Sequence, residues 1–434
     1  MISQESIKDL QNMAETWFRE NVSMGTIDDA EQAIIEVSRR VSEAMMSAFA
    51  EQVDPRSTHE GTRVECRCGN RAEFHGYRGR WVRTLCGDIR VKRAYYHCES
   101  CHSGVSPWDK LQGLNERIWS PGLKALVGEL CARLTYAEVS QLLERVLGFG
   151  VEESSQQDIV SDLGTRLRAE ESKLIEGYFD RGEEILPEAS VDRLYVCMDA
   201  AKAHTDGAWH DIKTGVVYAG VKPDTSSSRE IDKMTQARYV AVQESSEEFG
   251  KRLYARAALS GMAGAKEVVT LGDGADWIWN QAAMHFAGSV EILDYYHACE
   301  HIWSFAAARY GEGSAARKRW AQTQCRKLKT SGPASLLRSL RRYKPKTSEQ
   351  AEALRIELGY FENHRHRMNY PKYRAKGMMI GSGPVESACK VVVGQRLKQS
   401  GMRWTQPGAD NILALRTAVM SGETHRIHRL ARAA

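Results

Sequence analysis

The chain has 434 residues, 42% hydrophobic and 27% charged, a composition that suits a globular protein of two to four domains and excludes a disordered or fibrous one. No apolar run approaches the roughly 20 residues of a membrane span. The start, Met1-Ile2-Ser3-Gln4-Glu5, has no basic stretch before an apolar one, so neither a membrane partner nor a secretory signal is expected.

The net charge of +4 hides a strong asymmetry. From Arg309 to Lys376 eighteen Lys and Arg face five Asp and Glu, a net of +13 that leaves −9 for the rest of the chain. A basic block in an otherwise acidic protein points to a polyanion, nucleic acid first of all. Solvated helix faces are the plainer reading. The ten cysteines are mostly scattered, which fits a reducing cytosol better than a disulfide framework.

In chain order, residues 1–55 read as a helical hairpin. Ile7, Leu10, Met13, Trp17 and Phe18 recur at helical spacing, and Thr26-Ile27-Asp28-Asp29 is a capping box opening a second helix. Residues 60–110 hold two close cysteine pairs, Cys66/Cys68 and Cys98/Cys101, about thirty positions apart. Between them lie β-like runs at 79–84 and 89–96. Four thiolates on two knuckles would make a closed structural Zn2+ site. His75, Cys86, His97 and His102 are substitute ligands, and incidental buried cysteines are the alternative. Residues 115–180 read as helices. Ser120-Pro121 starts one and the capping box Thr135-Tyr136-Ala137-Glu138 another. That pattern fits a helix-turn-helix DNA reader or a plain bundle equally well.

From residue 190 the texture becomes strand-like. Leu194–Met198 is a short strand expected to end at Asp199, and Glu267–Leu271 is another, followed by Gly272-Asp273-Gly274. A further strand, 290–293, ends at Asp294. Much later, Gly381-Ser382-Gly383-Pro384 bends the chain into a helix whose first turn holds Glu386. Any one acid there caps a turn or complements a dipole. Together, Asp199, Asp273 and Glu386 are expected to converge as oxygen ligands for two Mg2+ or Mn2+ ions, the arrangement of metal-assisted phosphoryl transfer.

Three blocks make the pattern specific: Gly272–Asn280, Ile292–His301, and Ile380–Ser387 with Gly394–Trp404. On these the chain resembles the ISKra4 family of bacterial insertion-sequence transposases, within the DDE superfamily. The resemblance implies an α/β fold with an RNase H-like mixed sheet in two parts, 190–300 and 379–420, around an all-helical basic insertion, 301–378, with a tail at 421–434. The N-terminal helices, a β zinc ribbon and the helix-turn-helix-like segment precede it. The resemblance also implies Asp199, Asp273 and Glu386 as the catalytic triad, although Asp199 is followed by Ala200 where Gly is commoner. His297, three positions after Asp294, is expected to position or protonate a phosphate oxygen, oriented by Asp294; a purely structural Asp294 capping a helix is the alternative. Transposon-end and target DNA are the implied partners. The expected contacts are Arg317, Lys318, Arg319, Arg326, Lys327, Arg341 and Arg342 in the insertion, and Arg396, Lys398 and Arg403 beyond Glu386. Trp320, Tyr343, Tyr370 and Tyr373 are placed to stack on a flipped base. A homodimer or larger assembly in the bacterial cytoplasm, at the nucleoid, is likewise implied. A nuclease that cuts without joining, or an inactive DNA-binding regulator, would share many of these features.

Overall fold

The computed structural model describes residues 4–21, 25–114, 118–221 and 233–432. Residues 1–3, 22–24, 115–117, 222–232 and 433–434 of the expected segments lie outside the described residues, as do the side chains of Ile7, Leu10 and Met13. Two compact units divide the chain: Met1–Ile159 with Ile427–Ala434, and Val160–Arg426. The architecture is mixed α/β, with one small antiparallel sheet and one larger mixed sheet. No helix among the described residues is long and apolar enough to cross a membrane.

The first unit opens with helices Gln4–Asn21 and Ile27–Gln52. Thr26 and Asp29 form the reciprocal capping box, which satisfies two backbone donors at the start of the second helix. Four antiparallel strands follow: β1 Arg63–Glu65, β2 Arg71–Thr84, β3 Gly87–His97 and β4 Gly104–Val105. β2 and β3 form one long hairpin whose tight turn needs Gly87 at φ 106°. Its register pairs Glu73 with His97, so the start of β2 lies beside the end of β3. The β1–β2 and β3–β4 connections therefore meet at one end of the sheet, and they carry the two cysteine pairs. The core beneath is small: Cys66, Ala72, Ala94, Tyr96 and Cys98 are its buried members.

Helices Pro121–Arg133, Tyr136–Leu147 and Glu153–Arg181 come next. Thr135 and Glu138 form the second capping box, and Gly148 ends the second helix in the left-handed conformation. The exposed side of Tyr136–Leu147 offers Glu138 and Glu144 against Arg145. It lacks the cationic face that phosphate contacts require.

In the second unit, β5 Arg193–Thr205, β6 Ala208–Val221 and β7 Lys233–Val242 form an antiparallel meander. β8 Glu267–Gly272 and β9 Val290–Leu293 add to its other side parallel to β5, giving the order β7-β6-β5-β8-β9. β5 does not stop at Asp199 as its sequence suggests. The alanine-rich stretch after Asp199 has weak strand propensity, but it pairs with β6 as far as Thr205↔Ala208, and that pairing holds it extended. After β9 the chain runs through helices Tyr295–Tyr310, Ala315–Ser331, Ala334–Arg342, Ser348–Asn363 and Tyr370–Ala375. Their inward side chains, among them Phe305, Leu328, Leu340 and Phe361, belong to the same apolar cluster as Val196, Val269 and Ile292 of the sheet. The insertion thus shares its core with the sheet. The chain then returns through helix Gly383–Ala388, a π-helical turn at Cys389–Gly394, and helix Gln406–Met420, which packs on β7.

Candidate functional site

Strand register decides where the carboxylates stand. Cys197 of β5 is level with Leu271 of β8, and Gly272 of β8 is level with Leu293 of β9. Two residues past the first pair come Asp199 and Asp273; one residue past the second come Asp273 and Asp294. Three aspartates therefore stand at one level across neighbouring parallel strands, which are spaced about 4.8 Å apart. This is the carboxyl end of the parallel strands, where open α/β sheets place their ligands. β8 has ended by then, which leaves the β5 edge beside Asp199 open.

Glu386 reaches this level from the far side of the insertion. It sits in the first turn of helix Gly383–Ala388, where Pro384 fits because its missing N–H has no helical partner to lose. The Ser382 hydroxyl donates to Glu386 Oε1 at 3.0 Å. One turn on, the Cys389 thiol donates to Asp199 Oδ2 at 3.4 Å, so this helix start faces β5. Burial above all holds the Asp199 carboxyl above its ordinary pKa, with the negative charges of Asp273 and Glu386 adding to the rise. The Ala200 N–H and the Cys389 thiol only partly offset it. Among the described residues, no Lys, Arg or His forms an ion pair with Asp199, Asp273 or Glu386. Three mutually repelling carboxylates without a protein cation suit a hard divalent ion such as Mg2+. Their oxygens do not all come within the 4.8 Å spacing that the ribbon cysteines reach.

Asp294 differs from its two neighbours. It is fully buried, caps helix Tyr295–Tyr310 by accepting from the His297 N–H at 2.7 Å, and also accepts from the Ser382 N–H. Asp294 fixes Ser382, and Ser382 holds Glu386. The expectation that Asp294 orients the His297 imidazole is corrected: one Asp294 oxygen accepts from the His297 backbone N–H, as an N-cap does, and the other from the Ser382 N–H. The His297 ring instead has Nδ1 3.3 Å from Glu300 Oε2.

Tyr360 gave no signal in the sequence. Its hydroxyl donates to the Asp273 carbonyl at 3.0 Å, and its ring stacks on His301 with centroids 3.6 Å apart. His301 in turn pairs with buried Glu357. The Tyr360 ring crowds Gly274, which sits at φ 114°: a Cβ there would lie 2.9 Å from it. The insertion thereby holds the loop that carries Asp273. Tyr370 and Tyr373, expected to stack on a base, are buried and donate to the β9 carbonyls of Leu293 and Glu291. They anchor the insertion instead. Trp320 and Tyr343 are half-buried around Arg309.

The expected DNA contacts divide by exposure. Lys318, Arg319, Arg326 and Lys327 are exposed along one face of helix Ala315–Ser331, opposite buried Ala321, Gln324, Cys325 and Leu328. Arg342 is exposed and lines a cleft of about 560 Å3 with Arg309, Ser335, Arg338, Ser339, Tyr343 and Lys344. Lys398 and Arg403 are exposed beyond Glu386. Arg317 is half-buried over the Trp303 ring, and Arg341 pairs with Glu362 at 3.0 Å. Arg396 is corrected: it is fully buried over the Trp404 ring and is a core residue, because cation–π packing offsets part of its desolvation.

In the first unit Cys66, Cys68, Cys98 and Cys101 bring their sulfurs within 4.8 Å of one another, with Cys66–Cys101 at 3.5 Å and Cys68–Cys98 at 3.6 Å. Tetrahedral Zn–S bonds of about 2.3 Å imply sulfurs about 3.8 Å apart, so the donor set fits zinc. Cys66 N–H donates to the Asn70 carbonyl and Cys98 N–H to the Ser103 carbonyl, closing the two knuckles. The Ser103 hydroxyl, then its N–H, lowers the Cys101 thiol to about 6. Cys98 goes the other way, to about 11: the Cys101 N–H pulls it down, but burial and the neighbouring thiols of Cys101 and Cys68 push it up further. Cys86 lies outside the group.

The chain is similar to a protein of Streptococcus gallolyticus described as the UPF0236 protein in the vanSb 3′ region. The two are 22% identical over 353 residues, which span 81% of this chain and 74% of that protein. That alignment is longer than Val160–Arg426, so it takes in residues of both units. No protein-family profile matches the chain.

The raised Asp199 pKa has a consequence for stability. The folded state holds this proton to higher pH than the unfolded chain, whose value is about 3.9. Ionisation therefore costs nothing below that value and weakens the fold as pH rises through the folded pKa. Metal-free Asp199→Asn should melt about 1–2 °C above wild type at pH 7.5, with the gap shrinking toward pH 4.5. Mg2+ should stabilise only the wild type. Differential scanning fluorimetry reads both, and a variant that melts lower at pH 7.5 would show that the acids do not repel.

Proposed function

We propose that the protein is a DDE-type transposase of a bacterial insertion sequence, close to the ISKra4 pattern. It would cut the element's ends and join the freed 3′-hydroxyl to target DNA. The observation that carries this reading is the register that sets Asp199, midway along β5, level with Asp273 just past the end of β8, with Glu386 close enough to raise the Asp199 carboxyl. The sheet order supports it as well: three antiparallel strands, then two parallel to the first, is the order of an RNase H-like sheet. The helical stretch from Tyr295 to Ala375 sits where such enzymes carry an insertion.

Asp199, Asp273 and Glu386 would hold the divalent ions, which supply Lewis-acid activation of the attacking oxygen and of the scissile phosphate. The chain's own groups do the rest. Lys318, Arg319, Arg326 and Lys327 offer a cationic rail for the DNA backbone, and Arg309, Arg338, Arg342 and Lys344 a cleft beside it. The Asp294–Ser382 link fixes Glu386 before substrate arrives, and Tyr360 holds the Asp273 loop. Lys398 and Arg403 extend the basic surface past Glu386. A homodimer or larger assembly would pair two element ends.

The test is to incubate the purified protein with duplexes from the inverted repeats that flank its coding sequence, with Mg2+ or Mn2+. Nicking at the repeat end, followed by joined products, is expected. Cutting without joining would favour the nuclease, and binding without cutting the regulator.

The rail makes a separate prediction. The slope of log K against log salt is about −0.9 per phosphate contact. Lys318→Glu with Arg319→Glu should therefore flatten the slope by about 2 units, as read by fluorescence anisotropy at several salt concentrations. An unchanged slope would remove this face from the DNA path.

A further inference from the structure

We propose that His97, Glu99 and His102 form a second metal site on the ribbon, one that takes a borderline divalent transition-metal ion such as Zn2+. The inference does not rest on the transposase reading. One ligand atom from each residue lies within 4.8 Å of the others, a group separate from the four cysteines. His97 Nε2 is 3.9 Å from Glu99 Oε1, and the rings of His97 and His102 are 6.2 Å apart. A tetrahedral ion with bonds of about 2.0–2.1 Å places its ligands about 3.4 Å apart. Closing the remaining gap needs only side-chain rotation, because the Glu99 side chain is 82% exposed and His102 is exposed.

Two features explain how one knuckle can serve two ions. His97 ends β3 and Cys98 follows it, and successive side chains of an extended chain point to opposite sides. Cys98 is fully buried among the thiols, whereas His97 is half-exposed and faces the other way. The chain then turns through Ser100 and Cys101. His102 adopts φ 55°, and the Cys98 N–H closes the turn on the Ser103 carbonyl at 3.0 Å. That turn brings the His102 ring back beside His97.

The donor set selects the ion. Two imidazoles and one carboxylate suit Zn2+, Ni2+ or Cu2+, while Mg2+ and Ca2+ prefer all-oxygen sites. The remaining position goes to water or to His75, whose ring lies 6.1 Å from His97 across the β2 bulge. Exposure makes this site weaker than the thiolate site and responsive to free metal.

The full-length protein would be titrated with Zn2+ and, separately, Co2+ in excess Mg2+, which occupies oxygen-ligand sites. Wild type should bind one equivalent more than Glu99→Gln/His102→Ala. Both should keep the strong thiolate-to-cobalt absorption of the cysteine site, which shows that the variant ribbon is folded. Equal stoichiometry in wild type and variant, with that absorption intact, would overturn the proposal.

Discussion

Asp273→Asn and Glu386→Gln should each lower metal-dependent cleavage and strand transfer by at least about 10³-fold while leaving DNA binding nearly intact. Both changes keep side-chain size and remove a charge that repels its neighbours, so neither should unfold the protein. Asp273 is partly buried beyond β8, with its loop held by Tyr360; Glu386 is exposed and accepts from the Ser382 hydroxyl. Glu386→Gln preserves a hydrogen-bond acceptor for Ser382 and changes only the ligand charge. Gel assays on end DNA read cleavage, and anisotropy reads binding. Retained cleavage in both variants would discard the triad. If only Glu386→Gln stayed active, the cluster would be reduced to the aspartates.

Cys98→Ser should abolish zinc binding by the four-cysteine cluster and melt the cysteine end of the ribbon. At the cysteine end the ribbon's buried cluster is five residues, two of which are themselves candidate ligands, while Val82, Ile89 and Val91 belong to a separate cluster toward the hairpin turn. So small a cluster does not hold the cysteine end together by burial alone. A structural zinc in comparable peptides is worth about 10–16 kcal/mol at neutral pH, far more than that core supplies. The expected readouts are loss of the thiolate-to-cobalt band and rapid proteolysis within residues 63–105. Cys86→Ser should change neither, because Cys86 stands outside the cluster. A Cys98→Ser protein that kept its ribbon protected would assign the cysteines to packing.

What could be read from sequence was what depends on near neighbours. Thr26/Asp29 and Thr135/Glu138 are reciprocal caps across three positions, and both are present. The four cysteines needed only a hairpin between them to meet, and the runs around Trp81 and Val91 supplied it. Where the reading failed, a distant partner had intervened. Ala200–Thr205 looked unlike a strand until β6 paired with it. Arg396 looked like a phosphate contact because it follows Glu386 beside Lys398 and Arg403; packing against Trp404 buried it. Tyr370 and Tyr373 looked free to stack because the β9 carbonyls they bond lie about eighty positions back in the chain.

The sequence by itself therefore determined most of the elements, the cysteine knuckles and the basic stretch 309–376, since each is written in composition or in contacts a few residues long. The tertiary structure alone decided that Asp199 and Asp273 share a level, that Asp294 is spent on a cap and a bend, and that Tyr360 holds the Asp273 loop. Strand register and the docking of the insertion are set by burying side chains from segments up to about two hundred positions apart, and no local pattern encodes which of them will meet.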